Sequence, residues 1–198
     1  MTPARLEAFS DGVMAIIITI MVLEIKAPHG HDWADLKPLM PAALSYLFSF
    51  ITVGIYWGNH HHLMHTAKHV DGKIILANLH LLLWLSMLPF VSSWMGENHF
   101  APNTITLYAV VFMCCGLAWS ILQALILPQL PEHSPTRIAL KKLRIKAAIS
   151  TASAVLSIPL AYVYPIASGV LFVFQSVIWL VPDRRVEKAI IQEHEQKP

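Results

Sequence analysis

Residues 5–25 read RLEAFSDGVMAIIITIMVLEI, an apolar run with Arg5, Glu7 and Asp11 in or beside it. A membrane-spanning helix needs about 20 mostly apolar residues, because it rises about 1.5 Å per residue across a hydrocarbon core of about 30 Å. An ionisable side chain at the centre of such a span costs about 2.5–3.5 kcal/mol on insertion scales, so Asp11 is expected to face protein or water rather than lipid. Steps of 100° per residue gather Arg5, Phe9, Gly12, Ile16, Ile20 and Leu23 on one stripe, with Thr19 at its edge, and turn Ser10 and Asp11 elsewhere. The helix thus has an aliphatic stripe and a polar face that needs hydrogen-bond partners inside a bundle. By itself the stripe is a packing or lipid-facing surface of the kind most spanning helices carry. Asp11 interrupts the run, Glu24-Ile25-Lys26 ends it, and no small-x-small cleavage site follows, so it is expected to stay in the mature protein rather than leave as a signal peptide.

Outward from this run, further apolar stretches give expected spans at 6–25, 39–64, 74–95, 104–127, 147–162 and 165–181, separated by Pro, Gly, His or charged residues. Of the 198 residues 56% are apolar and 13% are charged. Soluble domains average about 25% charged residues, so too few charges are present to cover a soluble surface. The expected fold is all-α: one transmembrane domain over residues 1–198, with six spans and a short helical tail at 183–198. Pro159 and Pro165 bracket Tyr162-Val163-Tyr164 as a tight hairpin between the last two spans. Cys114 and Cys115 are adjacent, which rules out a CxxC site and leaves them as small buried residues.

The positions of the cations orient the chain. Arg5, Lys68, Lys73, Arg137, Lys141, Lys142, Arg144, Lys146, Arg184, Arg185, Lys188 and Lys197 fall on one side of the six spans, and only Lys26 and Lys37 on the other. The positive-inside rule then puts both termini in the cytoplasm of a multi-pass protein of the cell inner or plasma membrane. The net charge of +2 argues neither for nor against nucleic acid, which is not expected as a partner.

The second run ends in Tyr56-Trp57-Gly58-Asn59-His60-His61-His62, followed by His65 and His69. His61, His65 and His69 recur every four residues, a spacing that suits divalent-metal ligands. Histidines at a helix end also cap carbonyls and pair with buried carboxylates, so no metal ligand is assigned. The third run carries Asn78 and His80 near its start and Pro89-Phe90 further along. Ser10 and Asp11 should lie at a depth similar to His60 and Asn78, where hydroxyl, carboxylate, imidazole and amide can satisfy one another.

These residues resemble the endolysosomal potassium channel family, and its bacterial single-repeat branch in particular. The resemblance is carried by Arg5-Leu-Glu-Ala-Phe9-Ser10-Asp11-Gly12-Val13, then Ala15-Ile16, Thr19 and Val22-Leu23-Glu24-Ile25, and is supported by Trp57-Gly58-Asn59-His60 and by Asn78 through Pro89-Phe90. It implies a homotetramer in which the first helix of each copy lines the pore, with membrane lipids and potassium ions as the other partners and no cofactor beyond the permeant K+. No Thr-Val-Gly-Tyr-Gly filter is present in this sequence. The resemblance places aliphatic constriction rings at Ile16, Ile20 and Leu23, residues that the helical stripe contains. It implies that Arg5, Phe9, Ser10, Asp11 and Gly12 form the motif, with Trp57, Asn59, His60, Asn78 and His80 as its partners. Met14 stands where the family usually has Phe, and Ile17 where a smaller residue is common, so the packing behind the pore is expected to differ.

The expected function is a potassium-permeable cation channel without enzymatic activity. An aliphatic ring blocks ions by excluding water, with Ile16 as the gate and Thr19 as the hydroxyl beside it. A histidine-cluster metalloenzyme would need several histidine boxes to hold two irons, and one dense cluster is present. A Ser–His–Asp hydrolase lacks a G-x-S-x-G elbow around Ser10. A secondary transporter is usually built from repeats, and none is visible.

Overall fold

The computed structural model describes residues 1–180, which are helical between short connections. Seven α-helices follow in order: α1 Pro3–Leu23, α2 Met40–Thr66, α3 Gly72–Leu85, α4 Leu88–Glu97, α5 Pro102–Ile126, α6 Pro135–Val163 and α7 Pro165–Leu180. A 3-10 helix over Trp33–Leu39 leads into α2, and α4 continues the path of α3 after a break at Ser86-Met87, where Pro89 opens the new helix. Five stretches are long and apolar enough to cross a membrane: Pro3–Leu23, Trp33–Thr66, Gly72–Glu97, Pro102–Gln129 and Pro135–Val163. The apolar part of α7 is shorter, Pro165–Gln175. The tail at 183–198 lies outside the described residues.

Local chemistry fixes the helix starts. Asp71 accepts from the Ile74 amide through Oδ1 at 2.9 Å to cap α3, and Ser134 accepts from the Arg137 amide at 3.1 Å to cap α6. Prolines at the first turns of α1, α2, α4, α5 and α6 fill positions whose amides have no helical partner.

The main departure from the sequence reading is α6. It begins at Pro135 rather than Ala147, so Arg137, Lys141, Lys142, Arg144 and Lys146 lie on its first turns and not in a loop. Lys and Arg are good helix formers, and apolarity marks membrane depth rather than helix extent. The hairpin between α6 and α7 turns at Tyr164 alone, and Pro159 sits inside α6.

Packing is closest between α5 and its neighbours α3 and α6, between α2 and α4, and between α6 and α7. Small residues let the backbones approach. A Cβ added at Gly96 of α4 would stand 2.6 Å from the Ala42 Cα of α2. On the same seam the Ser45 hydroxyl donates to the Ser92 carbonyl at 2.6 Å, and Ser49 bonds both Ser92 Oγ at 2.9 Å and the Tyr108 hydroxyl at 3.1 Å. Tyr108 is fully buried and packs with Phe48 and Phe172, so hydroxyls satisfy one another in an interior otherwise made of aromatic and aliphatic groups. Cys115 is buried within this core and Cys114 partly so.

Candidate functional site

The first helix presents the two faces that its spacing requires. Leu6, Ser10, Met14, Ile17 and Met21 are buried against the bundle. On the opposite side Phe9, Ile16, Ile20 and Leu23 are 50%, 58%, 42% and 77% exposed, and Arg5, Gly12 and Thr19 share that exposure. Met14 and Ile17 therefore pack behind the exposed stripe and take no part in it. The exposed Thr19 hydroxyl donates to the Ile16 carbonyl at 2.9 Å, which leaves its oxygen able to accept. Beside the stripe an open groove of about 630 Å³ runs between α1 and α4, with Val13, Ile16, Ile20, Phe90 and Trp94 among its walls.

The polar face is held by a directed chain of hydrogen bonds. Ser10 Oγ donates its one proton to the Leu6 carbonyl at 2.8 Å, the i−4 bond open to a helical serine. Asn78 of α3 must therefore donate to Ser10, which its Nδ2 does at 2.9 Å. That fixes the amide orientation and points Oδ1 at His60 of α2, 2.8 Å away, so His60 donates from Nε2. Ser10, His60 and Asn78 are fully buried, and three helices are joined where lipid and water cannot supply partners. His60 Nδ1 has no partner among the described residues.

A second, more open set lies one helical step round. Trp57 Nε1 donates to Asp11 Oδ1 at 3.1 Å, and the Trp57 ring stacks near His61 with centroids 6.4 Å apart. His61 Nδ1 lies 2.6 Å from Glu7 Oε1, and His65 Nε2 lies 3.8 Å from the same oxygen.

Of the residues anticipated as motif partners, Trp57 and Asn78 bond α1 and His60 reaches it through Asn78, whereas the side chains of Asn59 and His80 bond within their own helices. Asn59 is one residue from His60 and so turned about 100° away; its side chain donates back to the Ile55 carbonyl at 2.8 Å. His80 is two residues from Asn78 and accepts from Trp84 Nε1 at 2.9 Å on its own helix. Phe9 stays half exposed and outside the polar chain, and a Cβ added at Gly12 would meet nothing within 4 Å. The sequence reading missed Glu7, which pairs with His61 and His65. His69, expected in register with those two, lies beyond the end of α2 at Thr66, and its backbone amide donates to Gln129 at 3.2 Å.

This geometry is that of a helix clamped on one face and free on the other. Residues 5–89, which hold the whole clamp, match the sequence profile of the "Endosomal/lysosomal potassium channel TMEM175" family. A protein of Chryseobacterium sp. (strain P1-3), named as a potassium channel, is 47% identical over 190 residues, covering 96% of this chain and 98% of that one. The endosomal/lysosomal proton channel TMEM175 of Danio rerio is 31% identical over 127 residues, 62% of this chain but 24% of that longer protein. The crystal structure of a lysosomal potassium-selective channel TMEM175 homolog from Chamaesiphon minutus shares the fold, with a TM-score of 0.79 at 24% identity, covering 90% of this chain and 96% of that one.

Proposed function

This chain belongs to the endosomal/lysosomal potassium channel TMEM175 family of multi-pass membrane channels, and we propose that it is a potassium-permeable cation channel whose pore is lined by α1. Four copies would meet on an axis through their first helices, with rings of Ile16, Ile20 and Leu23 facing it. The observation that carries this reading is the exposure of those three side chains on a helix whose other face is clamped by the Ser10–Asn78–His60 chain. A lipid-facing stripe needs no such clamp, whereas a pore helix must hold its rotation against its neighbours.

In this arrangement Ile16 is the narrowest ring and the gate. Its side chains exclude water, and an ion that cannot keep its hydration cannot pass. Thr19 is the hydroxyl nearest the rings and contacts partly dehydrated K+. Aliphatic rings provide no fixed cage of oxygens, so K+ over Na+ selectivity is modest. Arg5 stands at the mouth. The concentration of Lys and Arg at the Arg5 end supports cytoplasmic termini and a cell inner or plasma membrane location, and the Lys26–Glu97 ion pair at 3.3 Å marks the opposite end. No cofactor enters the mechanism.

Cysteine accessibility tests the lining. In a Cys114→Ala/Cys115→Ala background reconstituted in liposomes, Leu23→Cys should let a charged thiol reagent block K+ flux, and Met21→Cys, on the buried face, should not. Equal block at both positions, or at neither, would remove the stripe from the pore. The same vesicles loaded with a pH dye measure proton flux, the activity in the name of the Danio rerio relative.

A further inference from the structure

We propose that Glu7, His61 and His65 form a binding site for a divalent transition-metal cation that clasps α1 to the last turns of α2. Their ligand atoms, one carboxylate oxygen and two imidazole nitrogens, all lie within 4.8 Å of one another. Two histidines four residues apart share one helix face, which is the spacing by which a helix offers two imidazoles to one metal. The third ligand comes from another helix, so the set cannot be a by-product of the repeat on α2.

The donor chemistry selects the ion. Two imidazoles and one carboxylate suit zinc and its neighbours and not the hard cations Mg2+ or Ca2+, which take oxygen ligands. Zinc held by three protein ligands keeps a fourth position for water. The two separations to Glu7 lie near what zinc needs. Zinc–ligand bonds of about 2.0–2.2 Å in a tetrahedron place donor atoms about 3.3–3.5 Å apart. The Glu7–His65 separation is 3.8 Å and the Glu7–His61 separation 2.6 Å, so one closes slightly and the other opens as the ion replaces the direct hydrogen bond. His65 is half exposed and free to swing, while Glu7 is largely buried and held between the helices. His61 already packs edge-on to His65 with centroids 4.4 Å apart, and its other side is covered by Trp57, which also holds Asp11. That stacking would limit rotation of the His61 ring.

If α1 lines the pore, an ion here fixes its entry end, but the test does not depend on that reading. It is made on the purified full chain in detergent, with any polyhistidine tag removed, using zinc chloride as the probe and no flux measurement. Calorimetric titration should find one zinc per chain, with a rise in Tm on addition of zinc. His65→Ala should weaken zinc binding by at least about tenfold, the lower bound for loss of even an outer-sphere partner. His65→Cys, which puts a thiolate at the same place, should restore it. His69→Ala, beyond the end of α2, should bind like the wild type. Absence of stoichiometric zinc on the wild type, His65→Ala binding as tightly as wild type, or His69→Ala weakening it equally would each overturn the site. Failure of these outcomes leaves potassium flux untouched, so the two readings fall separately.

Discussion

At the scale of single residues, the protein depends on a few buried polar groups joined in a directed chain of donors and acceptors. Asn78 is the central member, since it accepts from His60 and donates to Ser10. Replacing it with Ala leaves a buried imidazole N–H and a buried hydroxyl short of a partner, and an orphaned group of this kind costs about 1–3 kcal/mol. Asn78→Ala should therefore lower stability by that order in a denaturation titration in detergent. Asn59→Ala, which loses only a bond to its own helix backbone, should stay within about 0.5 kcal/mol of wild type. If the two variants melt together, the directed chain is not what holds α1. The link from Ser10 through Asn78 to His60 was legible in outline because polar groups at membrane depth have few possible partners. The errors at Asn59 and His80 came from helical phase: neighbours of a correct residue point 100° or 200° away from it. Glu7 was missed because its partners lie 54 and 58 positions along the chain, and no local spacing joins them.

At the scale of elements, helix existence was plain from apolar runs, while helix extent was not. The five cations between Arg137 and Lys146 hid the start of α6, because hydropathy reports where lipid lies and not where hydrogen bonding begins. The break between α3 and α4 is hidden from hydropathy in the run through Ile74–Met95, and Pro89 is the residue that marks it. Close approach is the other feature that composition conceals. Gly96 touches the α2 backbone at Ala42, whereas a Cβ at Gly54 of α2 meets nothing within 4 Å. Gly96→Ala should force α4 away from α2 at a cost of about 1–3 kcal/mol. Gly54→Ala should be neutral or stabilising by about 0.4–1 kcal/mol, because it only removes freedom from the unfolded chain. Thermal unfolding of the two variants beside wild type checks both signs, and a Gly96→Ala protein as stable as its parent would contradict the packing described for α2 and α4.

At the scale of the whole molecule, α1 carries an aliphatic stripe that the other described helices leave exposed. Self-association follows from the proposed pore, and native mass spectrometry from detergent should find four chains; a stable monomer or dimer as the only species would contradict an axis formed by α1. The stripe itself was visible from spacing alone, but its meaning was not, since lipid-facing and pore-facing surfaces read alike in one sequence. In the proposed pore, the clamp on the opposite face is the observation that favours the pore-facing reading. The most direct measurement is potassium flux through proteoliposomes carrying wild type or Ile16→Asn. A polar ring at that position should hold water where the aliphatic ring expels it, so the variant should pass K+ faster than wild type, with weaker discrimination against Na+. Identical K+ flux and identical Na+ flux in the two proteins would show that Ile16 is not the constriction.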